Sequence, residues 1–132
     1  MNKHVDTSEF FEIKKGFKGF IRRLVNRFSV IRNQMQISKL AKSESIILLR
    51  PQPPVRCGGT VDRYYHFLFD LILPLYCLLN KVSPNVVFLV EDFGHFSDRL
   101  LQIFPKQIKL IENAEEHENV TEKQLLGMSP KC

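Results

Sequence analysis

Cysteine is scarce in this sequence: Cys57, Cys77 and Cys132 are odd in number and widely spaced over 132 residues. No C-x-x-C pair and no zinc-ligand spacing occurs among them. No run of eighteen uncharged apolar residues exists, so no transmembrane helix is expected. The N-terminus has no uninterrupted apolar stretch followed by a small-residue cleavage site, so no secretory leader is expected either. A reducing cytoplasm is the simplest expectation, and in that setting the Asn119-Val120-Thr121 triplet carries no weight as a glycosylation site. Repeats and low-complexity tracts are missing. Gly58-Gly59 lacks the G-x-G-x-x-G pattern and a strand directly before it, which excludes a dinucleotide fingerprint.

Apolar residues make up 44% of the chain and charged residues 25%, with eleven Phe. That is enough apolar surface for one small core and too much for a disordered chain. The net charge of +5 is unevenly spread. Lys14, Lys15, Lys18, Arg22, Arg23, Arg27, Arg32, Lys39 and Lys42 crowd the first 44 residues, whereas residues 112–122 are acidic. Two segments are therefore expected: a basic helical one over 1–44 and an α/β lobe over 45–132.

Phe10, Ile13, Phe17, Phe20, Ile21, Leu24, Phe28 and Ile31 recur at three- and four-residue steps. This spacing predicts an amphipathic helix over 9–37, with Asp6 and Glu9 in position for a capping box. Gly16 and Gly19 weaken it by roughly 1 kcal/mol each, so something must bury its Phe-rich face. Either the lobe covers that face, or it lies on an anionic membrane surface with the cations near lipid headgroups. Nucleic acid ranks last as a partner, because basic charge comes with no recognised motif.

Ile46-Ile47-Leu48-Leu49 reads as a buried strand, stopped by Pro51, Pro53 and Pro54. Residues 63–81 are apolar almost all round and predict a buried helix. Pro74 lies inside it and should kink or break it near residues 70–74, because proline lacks an N–H and clashes with the carbonyl four residues back. Residues 86–90 and 108–111 read as strands, with a short helix over 96–104 between them. Alternating strands and helices predict a short parallel sheet. The tail after Glu112 reads as polar and irregular.

Chemistry concentrates in the helix over 63–81. His66 and Asp70 are i and i+4 and share a face, with Arg63 about one turn earlier on the same stripe. Burying such groups without partners costs about 2–7 kcal/mol each, so they pair or face a wet cleft. One reading is a structural His–Asp bond anchoring the helix. The other is a carboxylate orienting an imidazole that handles a substrate proton near neutral pH.

The block Tyr64-Tyr65-His66-Phe67-Leu68-Phe69-Asp70, followed by Leu73-Pro74, resembles the N-terminal signature of glycosyltransferase family 61. In that signature a Tyr-His-x-x-x-Asp/Glu helix precedes Leu-Pro. The strand, helix and strand that follow keep the family's order, and Leu126-Gly127-Met128 resembles its next stretch. The likeness spans about residues 45–132, the first half of the family's domain. It implies the acceptor-side, Rossmann-like lobe of a GT-B type enzyme, inverting and metal-independent. Such an enzyme has no cofactor beyond a nucleotide-sugar co-substrate. The implied partners are that donor, a glycan or glycoconjugate acceptor, and a C-terminal lobe that this chain lacks. His66 and Asp70 are the implied catalytic positions, with the base left open between them, and Arg63, Tyr65, Glu91 and Asp92 the candidate substrate contacts. The alternative is an inactive truncated domain serving as a membrane-surface or interaction module. On either reading the protein is expected in the cytoplasm, peripheral at the inner face of the membrane.

Glu91-Asp92 closes a predicted strand, where α/β proteins bind ligands, yet a solvated strand end is the better explanation of the two acids, because acidic residues are common in loops. Asp92, His95 and Asp98 could in principle meet a metal, on weak loop spacing. His4 and His117 sit in polar contexts.

Overall fold

The computed structural model describes residue 18 and residues 27–51 and 61–128. The N-terminal part of the expected amphipathic helix and the Cys57-Gly58-Gly59 turn lie outside them. Helix α1 covers residues 27–40, three residues beyond the expected end. Strand β1 is Ile46–Pro51. Helix α2 is one continuous run made of an α turn at Tyr64–His66, a π-helical stretch at Phe67–Ile72 and an α segment at Leu73–Leu79. Strand β2 (Val87–Glu91), helix α3 (Ser97–Ile103) and strand β3 (Ile108–Ile111) follow. A 3-10 turn at Ala114–His117 leads to strand β4 (Thr121–Leu125).

The strands form one all-parallel sheet in the order β3-β2-β1-β4. The expected short parallel sheet is therefore present, with one strand more than the hydrophobic pattern suggested. β4 is an edge strand of sequence TEKQL, paired on one side only. A charged edge strand needs no apolar alternation, and charge there discourages further pairing.

Side chains sort cleanly onto the two faces. Ile47, Leu49, Phe88, Val90, Ile108 and Leu125 join Ile37 of α1, Phe67, Leu71, Leu75 and Leu78 of α2 and near it, and Leu100 of α3 in the main core. Leu48, Leu89 and Ile111 point to the other face, against Ala114 and Val120. From β1 to β3 the chain steps one way across the sheet, with its helices on the first face. From β3 to β4 it returns the other way and crosses the second face. Both moves then share one hand, as parallel crossovers require. The reversal falls between β1 and β4.

α1 is fixed by polar as well as apolar contacts. Val30 and Ile37 are buried, and the amide of the buried Gln34 donates to the Pro74 carbonyl (3.2 Å) and accepts from Lys81 Nζ (2.9 Å). Asn33 donates to the Gln124 carbonyl (2.8 Å) and accepts from Leu126 N–H (3.1 Å), holding the end of β4. Of the face singled out by periodicity only Phe28 and Ile31 are among the described residues, and both are exposed. The core takes the stripe of Val30, Gln34 and Ile37 instead, because Gln34 finds partners for both ends of its amide.

α2 is likewise not buried all round. Phe67, Leu71, Pro74, Leu75 and Leu78 face the sheet, but Tyr65, Phe69, Leu73 and Tyr76 are exposed on the outer side. A single helical layer covers one face of a helix and leaves the other open. Among the described residues no helix is long and apolar enough to cross a membrane.

Candidate functional site

Pro74 does not break α2. It falls at the start of the last α segment, and the preceding residues widen into a π turn in which Leu73 N–H donates to Leu68 O, five residues back. The wider turn relieves the clash that proline would cause in an α-helix. Its next donor would be Pro74, which has no N–H, so the Phe69 carbonyl lacks an intrahelical partner of that kind. Met128 N–H fills the place at 2.8 Å. This bond ties the segment after β4 to α2.

The same contact brings Gly127 against Asp70. A Cβ at Gly127 would fall within 2.6 Å of the Asp70 Cβ and closer still to its carboxylate. Only glycine permits that approach. Asp70 is 6% exposed, and its Oδ2 lies 2.6 Å from His66 Nδ1. A carboxylate offers acceptors only, so Nδ1 carries the proton and the neutral ring keeps Nε2 as an acceptor. His66 makes no second hydrogen bond among the described residues, and none of their buried side-chain nitrogens or oxygens lacks a partner. Nε2 is therefore not fully buried, and the His66 side chain as a whole is 16% exposed. Tyr65 meets the imidazole edge to face, with centroids 5.2 Å apart, and packs on Phe69 at 4.8 Å. These contacts fix the ring from the side while leaving its outer nitrogen free.

His66, Asp70 and Tyr65 thus come together next to the exit from β4, the strand paired with β1. A sheet whose strand order reverses opens a crevice beyond the strand ends at that point, where α/β folds bind ligands. Arg63 immediately precedes the helix; its carbonyl accepts from Phe67 N–H (2.7 Å), and its side chain is exposed, with no ion pair among the described residues.

Glu91 and Asp92 bond elsewhere. Glu91 Oε2 accepts from Ala114 N–H (2.9 Å) at the start of the 3-10 turn. Asp92 Oδ1 accepts from Gly94 N–H (3.0 Å) and Ser97 Oγ–H (2.9 Å), and these bonds, the Gly94 one foremost, hold its carboxyl below the ordinary carboxylate value. Ser97 Oγ in turn accepts from Phe93 N–H (3.1 Å). Neither acid bonds to the His66–Asp70 pair. Asp62 adds a further tie, accepting from Phe96 N–H (3.0 Å) and packing on Gly94, whose φ of +121° suits glycine. Asp92, His95 and Asp98 do not converge: among the described residues no group of three His, Cys, Asp or Glu could hold a metal ion.

Gly127 and Asn33 are structural partners of the site that residue pattern alone did not assign. Gly127 lies in a stretch marked by family likeness without a role, and Asn33 sits mid-helix with no local signal. Compared with known proteins, the chain matches no family model, and no curated protein and no solved structure is detectably similar to it.

Proposed function

We propose that this chain is the acceptor-binding lobe of a nucleotide-sugar-dependent glycosyltransferase, a Rossmann-like half of a GT-B type enzyme. His66 serves as the base and Asp70 as the group that orients it. The observation that carries this reading is the division of labour in the pair: Asp70 is buried and holds Nδ1, while Nε2 makes no hydrogen bond among the described residues. In the reaction Nε2 takes the proton of the acceptor hydroxyl as its oxygen bonds to the anomeric carbon of the donor. The bond from that carbon to the nucleoside diphosphate breaks, and the diphosphate leaves with the electron pair. Imidazole suits the task because its unperturbed pKa lies near neutrality. Arg63 and Tyr65, exposed at the same helix start, are the nearest candidates to contact the acceptor. Donor binding falls to a second lobe.

The reading is tested by screening the chain on a glycan array beside His66→Ala. The expected result is retention of a defined glycan class by the native chain, weakened in the variant, and no donor turnover by the chain alone. Absence of glycan binding, or binding indifferent to His66, would contradict it. Robust transfer by the isolated chain would contradict the two-lobe arrangement.

A further inference from the structure

The outer surface of the helical layer carries two apolar stripes. On α1, Phe28, Ile31 and Met35 are 68%, 49% and 51% exposed. On α2, Tyr65, Phe69, Leu73 and Tyr76 follow one another at three- and four-residue steps and are all exposed. The two helices meet through Gln34. Going round α1 at about 100° per residue, Asn33 comes first and bonds to β4. Ile37 and Val30 follow in the core, and then Gln34, which bonds to Pro74 and Lys81. Past Gln34 come Arg27 and Ser38, and then Ile31, Met35 and Phe28. They occupy the shoulder of α1 that faces outward on the α2 side.

Charge marks this surface too. Residues 27–43 contain Arg27, Arg32, Lys39 and Lys42, all exposed, and no carboxylate; the first acid is Glu44, past the helix. On the same helical projection Arg27 borders one side of the Phe28–Ile31–Met35 stripe, and Arg32 and Lys39 border the other. The one acid of α2, Asp70, is buried. The exposed carboxylates Glu112, Glu115, Glu116, Glu118 and Glu122 lie in and after the connection that crosses the opposite face of the sheet. Asp98 of α3 and Lys109 of β3, both exposed, run against this division, and Glu122 pairs with Arg50; the balance is still an apolar and basic surface on α1 and an acidic connection across the back.

We propose that the helical side docks on an anionic lipid bilayer. The two apolar stripes enter the boundary between headgroups and acyl chains, and Arg27, Arg32 and Lys39 reach lipid phosphates from its borders. This is the pattern of an interfacial amphipathic surface. The acidic back is repelled by the same membrane, which fixes the orientation. His66, in edge contact with Tyr65 at one end of the α2 stripe, then lies near the membrane plane. The proposal is independent of any transferase activity.

Vesicle flotation of the full chain tests it, with phosphatidylcholine vesicles lacking or containing phosphatidylserine. Binding should require phosphatidylserine and fall as salt rises. The double variants I31S/M35S and R32E/K39E should each bind about tenfold more weakly or worse, with thermal melts like that of the native chain because all four side chains are exposed. Failure to bind phosphatidylserine vesicles would overturn the proposal, as would equal binding by both variants. Self-association in sedimentation that I31S/M35S abolishes, without vesicle binding, would assign the face to a second copy instead.

Discussion

At the end of β2, Glu91 and Asp92 accept from Ala114, Gly94 and Ser97, and their bonds fasten the turns that follow. Past the end of β4, Asp70 binds His66 Nδ1, and the other imidazole nitrogen makes no hydrogen bond among the described residues. Both clusters are acidic residues near strand ends of the same parallel sheet. The difference lies in what their bonds leave over. Where a carboxylate's partners are backbone donors, nothing reactive remains. Where its partner is a ring with a second nitrogen, the carboxylate's burial becomes that nitrogen's orientation. Sequence position separates the two cases only in part: Glu91 and Asp92 close a strand, whereas Asp70 lies within a helix.

Four substitutions would break or sharpen this contrast. Asp70→Ala removes one partner of a buried pair and leaves His66 Nδ1 unmatched. It should lower unfolding free energy by about 3 kcal/mol in urea titrations and remove glycan binding as well. Gly127→Ala drives a Cβ into the Asp70 carboxylate. About 2 kcal/mol should be lost, with the His66 ring resonances shifting although residue 127 is far from it in sequence. Glu91→Ala leaves the Ala114 N–H without its acceptor and should cost about 1 kcal/mol by the same titration, with glycan retention unchanged. A loss of glycan binding in that variant would erase the distinction between the clusters. The smallest effect belongs to Asp92, whose carboxyl is held below the ordinary carboxylate value by Gly94 and Ser97. Because the folded value is the lower one, its contribution is complete above the unfolded carboxylate value and disappears as pH falls through the folded value. Asp92→Asn should therefore be slightly less stable than the native protein at neutral pH, and the two unfolding curves should converge as pH falls below about 4.

Much of this architecture was legible in the residues, and the exceptions have physical reasons. β1, β2 and β3 are runs of Ile, Leu, Val and Phe because the sheet is covered on both faces there, so composition reveals them. β4 escaped because an edge strand with polar sides can be built from Thr, Glu, Lys and Gln. The bend expected at Pro74 became a π turn, since the five-residue hydrogen bond from Leu73 absorbs the ring and Met128 supplies the missing donor from 59 residues away in the chain. No local pattern encodes such a partner. The spacing of His66 and Asp70 placed them on one face, yet which of the two meets solvent depended on Gly127 closing over Asp70. In the described part of α1 the periodic positions Phe28 and Ile31 lie outside, because Gln34, polar by type, is buried and bonds to Pro74 and Lys81.

The direct test of the central claim is a nitrogen-15 NMR spectrum of the His66 imidazole above its titration range, recorded with and without a retained glycan. The account predicts a proton on Nδ1, a bare Nε2, and a shift of Nε2 alone when the glycan is added. A ring protonated on Nε2, or one that ignores the glycan, would contradict it.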